Sequence, residues 1–342
     1  MDKILTVIVP SYNMEKYLDK DLNSLVIASD DFNSIEVLVV NDGSKDRTLE
    51  IANKFSEKYP NVFKVINKSN GNYGSCINAG LKMAKGTFVK IMDADDCFVN
   101  KNFLKYIHAL KESETKQENL DMIFTDYHSI NEEGNLINIY TKNLKPNKVY
   151  KIKEIEDSEQ YYELNHHSTT YRTSILREMD YKQSEGVSYT DQEWVAIPLL
   201  MVNKLKYVPI DLYAYLIGRS GQTMGENIFK TSFDSHCTVL LNMMNCFNDI
   251  KGGFSDLNVR LVKKRIICFL NFVYAKFLVE YKHQDEVRKF DDNLKLNYPS
   301  FYEESNNALV GRKMRFKYIK HWRENPNGIR FKIDRWLFKF KR

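Results

Sequence analysis

Asp93-Ala94-Asp95-Asp96 puts three carboxylates within four residues. Such groups repel one another unless a cation sits among them, and hard oxygen donors suit Mg²⁺ or Mn²⁺, ions that also take phosphate oxygens and water. Taken alone, the tetrapeptide could equally be a helix cap in a solvated acidic turn. Asn41-Asp42-Gly43-Ser44-Lys45-Asp46 offers a tight turn, a helix cap, and in Asp42 an acceptor for a base imide or a ribose hydroxyl. Asn70-Gly71-Asn72-Tyr73-Gly74 follows, with glycines that allow backbone to approach a ligand closely and Asn78 directed to the same region. GxGxxG and GxxxxGK[ST] are both missing, so dinucleotide and P-loop readings lack their defining loops.

The elements around these clusters decide between the chemical and the ordinary readings. Leu5 to Pro10, Ile35 to Val40, Val62 to Ile66 and Thr87 to Met92 are short apolar runs rich in β-branched residues. Between them lie helical stretches with apolar faces Leu18/Leu22/Leu25/Val26, Ile51/Phe55/Tyr59 and Ile77/Leu81/Ala84. Four strands alternating with three helices predict an α/β fold with a doubly wound, mostly parallel sheet. Ligands of such sheets bind outside the carboxyl ends of the strands. Ser11 to Asn13, Asn41 to Asp46 and Asp93 to Asp96 all fall there. Beyond residue 100, strands are expected at Met122 to Ile130 and Leu136 to Tyr140, and a strand pair or extended edge at Leu205 to Leu216. The helical spacing of Leu257, Leu261, Ile266, Phe269, Leu270, Val273 and Phe277 predicts a helical C-terminal region.

In order and spacing these segments resemble family 2 glycosyltransferases of the Rossmann-like GT-A fold. The resemblance rests on Val7-Ile-Val-Pro-Ser-Tyr-Asn13, Val40-Asn-Asp-Gly-Ser44, Asn70-Gly-Asn-Tyr-Gly74 with Asn78-Ala-Gly-Leu81, and Met92-Asp-Ala-Asp-Asp96. It is strong over residues 1–110, recognisable to about 220 and weak beyond. It implies a catalytic domain at 1–222, made of a nucleotide-binding half (1–110) and an acceptor half (111–222), then a helical region at 223–310 and a tail at 311–342.

The resemblance also implies roles. Pro10, Tyr12 and Asp42 would line the base pocket with Glu15 nearby, and Asn72, Gly74 and Asn78 would lie on the donor side. Asp93 would contact ribose or donor sugar, and Asp95 would hold Mn²⁺ or Mg²⁺ against the diphosphate of a UDP-sugar. Inversion needs a base to deprotonate the acceptor hydroxyl. The family's Glu-Asp pair corresponds to Thr190-Asp191, making Asp191 the candidate base and Glu193 the alternative; an N-cap role for Asp191 is compatible with either. Arg219, in Arg219-Ser220-Gly221-Gln222-Thr223, would pair with phosphate or lie in a plain surface loop. His166-His167 is expected to pack or to touch acceptor, since adjacent residues of a strand point to opposite faces and do not readily share an ion. The implied acceptor is a hydroxyl of a glycan or lipid-linked molecule in cell-surface polysaccharide synthesis. The rivals are a nucleotidyltransferase, which would want a basic glycine-rich loop where Pro10-Ser11-Tyr12-Asn13 stands, and a non-catalytic sugar- or nucleotide-binding relative.

The net charge of +5 over 342 residues conceals an asymmetry. Residues 311–342 carry 12 Lys/Arg against 2 Asp/Glu, while the first 310 carry 38 against 43. In the tail, Ile333, Trp336, Leu337 and Phe340 share a helical face with basic residues around it, an arrangement suited to an anionic membrane surface. Packing on the catalytic domain or a second copy is the other reading, and no nucleic-acid-binding module accompanies the charge. Five scattered cysteines without CxxC spacing, and the lack of a signal-peptide pattern or a membrane-length apolar run, lead us to expect a cytoplasmic protein, peripheral on the inner face of the membrane if the tail docks there.

Overall fold

In the computed structural model, which describes residues 2–155, 164–222, 225–250, 252–307 and 317–339, every residue of β1 (Leu5–Ser11) and β2 (Ile35–Asp42) is buried. Burial on both faces explains why these strands read as unbroken apolar runs. Val7 and Val9 join a core with Leu18, Leu22, Ile51, Phe55 and Phe103 on one side of the sheet. Ile8 points the other way, against Gly80 of the helix α3, where an added Cβ would lie 2.7 Å from the isoleucine. Glycine at that position lets the helix sit directly on the strand.

The order of elements in the first half is β1, α1 (Leu18–Ser24), β2, α2 (Thr48–Lys58), β3 (Phe63–Lys68), α3 (Asn72–Met83) and β4 (Phe88–Ile91). There follow β5 (Cys97–Phe98), α4 (Asn100–Thr115), β6 (Met122–Ile130), β7 (Leu136–Tyr140), β8 (Val149–Lys151), β9 (Thr169–Arg172), α5 (Thr173–Glu178), α6 (Asp191–Ala196) and β10 (Lys204–Leu216). The sheet runs β3-β2-β1-β4-β9-β6-β10-β5, with β7 on β6 and β8 on β10. β3, β2, β1 and β4 are mutually parallel, whereas β9 enters antiparallel to both β4 and β6.

One expectation changes. Leu205 to Leu216 is neither a strand pair nor an edge: β10 is a single strand between β6 and β5. Pro209 cannot donate to the ladder, and the β6 register slips between Val208 and Asp211, so the proline is carried in an irregularity rather than at an edge.

The chain separates into two compact units, Met1–Gln222 and Thr223–Arg342. In the second unit, a helix at Asp256–Val273 begins at the Ser255 hydroxyl, which accepts from the Asn258 N–H (3.1 Å), and runs on as a π-helix at Tyr274–Glu280. Arg323 forms a buried pair with Asp291 (2.6 Å), and Tyr274 donates to the same carboxylate (2.5 Å). The basic tail is therefore not one amphipathic segment. Its helix at Tyr318–Glu324 buries Tyr318, Ile319 and Trp322 within this unit. The next helix, Ile329–Lys339, leaves Ile329, Ile333 and Trp336 exposed while Phe331 is buried. Phe316, Phe340 and Arg342 lie outside the described residues. Among the described residues, no helix is long and apolar enough to cross a membrane.

Candidate active site

The loops that leave β1 and β2 are sewn together at the carboxyl ends of their strands. Asn13, at φ +54°, accepts from the Lys45 N–H (2.8 Å), and its own N–H donates to Ser44 (3.0 Å). The Met14 N–H donates to the Thr48 hydroxyl (2.7 Å) and the Glu15 N–H to Asp46 (3.0 Å). The Glu15 carboxylate accepts in turn from the Arg47 N–H (3.1 Å), which gives it a partner at the start of α2. Pro10 is the penultimate residue of the buried β1, and Tyr12, just past the strand's end, is 46% exposed. Asp42 is buried, its Oδ1 accepting from Lys68 Nζ (2.6 Å) and from the Gly71 N–H (3.0 Å). It thereby ties the end of β2 to the loop that opens α3.

That loop departs from expectation. Asn72 sits at φ +66° as the first residue of α3. Gly74 is small because the chain itself comes close: a Cβ there would lie 2.0 Å from the Ser184 carbonyl oxygen. Asn78 donates to the Gln183 carbonyl (2.9 Å) and Glu185 (2.8 Å) and accepts from the Gln183 N–H (2.8 Å). Its amide is thus committed to the 183–185 segment rather than turned toward a ligand. Glu193, the alternative base, braces the same segment by accepting from the Ser184 N–H (2.7 Å) and hydroxyl. Burial raises its carboxyl to about 7.

The acidic turn divides its three carboxylates between two tasks. Asp96 is 1% exposed and accepts from the Tyr213 hydroxyl (2.6 Å) and the Leu216 N–H (2.7 Å), so it anchors β10. Burial, and then the neighbouring Asp95 and Asp93 charges, raise it well above the carboxylate range. Asp93 accepts from the Tyr73 hydroxyl (2.8 Å) and meets His166 Nε2 at 3.1 Å. Burial opposes its ionisation, yet the charge and hydrogen bond of His166 bring it down to about 2. Asp95 is paired with the Arg219 guanidinium, whose other flank lies over the Tyr17 ring at 5.4 Å. Burial raises Asp95 against the pull of that charge. A positive group is therefore already drawn to Asp95, and the remaining donors are carboxylates and imidazoles, so the residues present fit a divalent cation. Arg219 reaches a carboxylate here rather than standing free as a loop residue. Gln222 of the same segment donates to the Leu216 carbonyl (2.7 Å), and Thr223 lies outside the described residues.

His166 and His167 overturn the expectation of opposed side chains. They precede β9 in a turn, where Asn165 accepts from the Ser168 N–H (3.0 Å), and their rings lie 3.8 Å apart. Alternation applies to extended strand, and this is not one. The turn is held from below by Lys90 of β4, whose Nζ is fully buried and donates to the carbonyls of His167 (2.8 Å) and Thr169 (3.2 Å). His166 also faces Asp191, with Nδ1 4.0 Å from Oδ2.

Asp191 is the first residue of α6, after Thr190 at the cap position, and no side chain caps this helix. The N-cap role weighed for Asp191 is therefore not what holds it. Its Oδ2 accepts from Gln192 (2.9 Å), and burial raises its carboxyl while the His166 charge pulls it down. The preceding Tyr189 has φ +68°, a conformation that bulky residues rarely adopt and that functional loops retain at a cost of about 1–3 kcal/mol.

Burial without a carboxylate partner depresses Lys90 from 10.5 to about 7. Between those values the folded state binds fewer protons than the unfolded chain. The lysine's contribution is then present at high pH and lost as pH falls toward 7. Wild-type stability minus that of Lys90→Met should therefore rise between pH 7 and 9, by up to about 1.4 kcal/mol per unit. Urea melts across that range check it, and parallel profiles would show Lys90 neutral or charged in both states alike.

Asp93, Asp95, Asp191 and Arg219 were expected at the site, and the first two gather with His166 and Arg219 at one end of the sheet. Sequence reasoning gives Tyr73 and Tyr213 no role and expects His166 to pack or to touch acceptor rather than to meet Asp93; Tyr73 stands inside the Asn70 to Gly74 loop, the signal from which it is suspected.

The sequence model of glycosyl transferase family 2 matches residues 6–180. The poly(ribitol-phosphate) beta-N-acetylglucosaminyltransferase TarS of Staphylococcus aureus is 31% identical over 228 residues, 65% of this chain and 37% of that protein. The minor teichoic acid biosynthesis protein GgaB of Bacillus subtilis is 34% identical over 107 residues, 31% of this chain and 12% of that protein. An uncharacterized glycosyltransferase of Mycoplasma pneumoniae is 38% identical over 102 residues, 29% of this chain and 34% of its own length. The matches thus span at most 37% of these relatives. Among solved structures, S. aureus TarS 1-349 in complex with UDP-GlcNAc superposes with a TM-score of 0.63 at 22% identity, covering 85% of this chain and 79% of that one. With the family's sequence pattern spanning half the chain on a GT-A fold, this protein belongs to glycosyl transferase family 2.

Proposed function

We propose that this protein moves a sugar, with inversion, from a UDP-sugar to a hydroxyl of a cell-surface glycan or its lipid-linked precursor. The observation that carries the reading is the meeting of Asp93, Asp95 and Asp191 around His166 and Arg219 at the carboxyl end of the sheet. The donor class is taken from the staphylococcal relative solved with UDP-GlcNAc, and the acceptor class from relatives named for poly(ribitol-phosphate) and teichoic acid.

Pro10, Tyr12 and Asp42 bind the uracil and ribose, with Asn72 and the start of α3 on the donor side. Asp93, held ionised, takes a donor hydroxyl. Asp95 would hold a Mg²⁺ or Mn²⁺, which when bound would supply Lewis-acid neutralisation of the leaving diphosphate. Arg219 turns from Asp95 to the phosphates. The acceptor oxygen attacks the anomeric carbon, the bond to the diphosphate oxygen breaks, and the acceptor proton passes to Asp191.

The first test is a thermal-shift panel of UDP, GDP, CMP and dTDP, each with and without Mn²⁺. Ligand bound to the folded state raises its stability by mass action, so a shift with UDP that requires Mn²⁺ is expected. No shift with any nucleotide would overturn the donor reading.

The tail supports a place for the enzyme at an anionic membrane. Ile329, Ile333 and Trp336 are 71%, 48% and 57% exposed on one helix that also carries Arg330, Lys332 and Arg335. Apolar burial and charge attraction, about 1 kcal/mol per basic residue near the surface, then act together. The protein should float with phosphatidylglycerol vesicles at low salt and not with phosphatidylcholine alone, and Ile333→Asp should weaken the association. Equal behaviour with both lipids would remove the membrane from the proposal.

A further inference from the structure

The Asp93, His166 and His167 cluster is richer in nitrogen than an Asp95-held Mg²⁺ site requires. One ligand atom from each of the three residues lies within 4.8 Å of the others. His167 is 7% exposed, and its Nε2 is buried without a hydrogen-bond partner. A buried polar atom left unpaired is costly, and a native structure keeps one only for a reason. We propose that Asp93, His166 and His167 form a second cation site, for a transition-metal ion such as Zn²⁺, whose occupancy blocks sugar transfer.

The donor set favours that class of ion. Imidazole suits zinc and its neighbours, whereas Mg²⁺ keeps to oxygen and water. Zinc bonds to nitrogen and carboxylate oxygen are about 2.0–2.2 Å, so ligand atoms on one ion lie up to about 4 Å apart and only small side-chain shifts close the set. The surroundings are those of a built site. His166 meets Asp93 through Nε2 and faces Asp191 through Nδ1 (4.0 Å), so a metal on Nε2 leaves the other nitrogen directed at a carboxylate. His167 is fixed by Lys90 at its carbonyl and by rings of Tyr127, Tyr213 and Tyr215 within 5.3 Å. Three protein ligands leave a fourth position for water.

The inhibitory consequence rests on the functional reading above, while metal binding itself does not. An ion there takes Asp93 away from the donor and draws Asp191 toward the His166 imidazole, so neither carboxylate does its work. Mn²⁺ at Asp95 and zinc at this cluster are thus opposed in effect.

The test uses the metal-stripped full chain, with Zn²⁺ affinity read by competition against a chromophoric chelator. Wild type is expected to bind one Zn²⁺ per chain. His166→Gln and His167→Gln should each weaken it by more than the roughly 10–100-fold that loss of an outer partner costs. The Mn²⁺-dependent shift with UDP, set by Asp95, should persist in His167→Gln and so shows that variant to be folded. Failure of wild type to bind zinc overturns the proposal whatever the variants do, as does binding undiminished in both variants. Zinc binding as expected with no UDP shift in wild type would sink the donor reading and leave the zinc site standing.

Discussion

Asp191→Asn is expected to lower turnover by about 10²–10⁴-fold, the range a positioned general base supplies, while the affinity for UDP with Mn²⁺ stays close to that of wild type. The substitution keeps the side chain's shape and its place at the start of α6. It can still meet Gln192, and since this helix has no side-chain cap, no cap is lost. What disappears is an acceptor for a proton. Burial raises the Asp191 carboxyl above 3.8, with the His166 charge acting against that rise. The base works only when ionised, so the acid limb of the wild-type rate profile should lie above pH 3.8 and vanish from the residual rate of the variant. A steady-state assay with a UDP-sugar, alongside nucleotide binding measured calorimetrically, separates the two quantities. Near-normal turnover would take the base away from Asp191. Glu193 would then be next in sequence, but its carboxylate already holds the Ser184 N–H and hydroxyl, so freeing it would loosen the segment against Gly74.

The first half of the fold was legible for a simple reason. Parallel strands buried on both faces appear as short apolar runs, and the runs of β1, β2 and β4 give way to polar or turn-forming residues at Ser11-Tyr12-Asn13, Asn41-Asp42-Gly43 and Asp93-Ala94-Asp95. Topology then placed those endings at one edge of the sheet without any knowledge of distant contacts. Partners far along the chain were a different matter. Asn78 meets residues 183–185, Asp93 meets His166, Asp95 meets Arg219 and Asp96 meets β10, separations of 73 to 124 positions that no local period encodes. Gly74 illustrates the loss. A glycine in a loop announces close approach, but only the fold says whether a ligand or the Ser184 carbonyl makes it. The histidine pair failed differently, because strand alternation was applied before the strand begins: β9 starts at Thr169, two residues after His167, and the turn before it brings the two rings together. In the tail, periodicity found the apolar face but not the partner, and Trp322 was buried while Trp336 was left exposed.

Asp95→Ala is expected to abolish the Mn²⁺-dependent part of nucleotide binding. At a nucleotide concentration about 100-fold above Kd, binding adds about 2.7 kcal/mol to the stability of the folded state. For a unit the size of Met1–Gln222 that corresponds to a rise in Tm of about 5–10 °C. In the variant, UDP with Mn²⁺ should give no more than UDP alone. The neighbouring carboxylates cannot readily take over. Asp96 is spent on Tyr213 and Leu216, and Asp93 is held between Tyr73 and His166. Arg219 also loses its partner, so its guanidinium is released to the phosphates, and metal-free UDP should bind the variant no worse than wild type. That second result separates two ways in which Asp95 could matter. If Asp95 served only to hold Arg219, the alanine variant would lose nucleotide affinity with and without Mn²⁺ alike. If it holds the metal, only the Mn²⁺-dependent increment goes. An unchanged Mn²⁺ response would move the ion to other ligands, and the His166 and His167 variants would then be the ones to lose it.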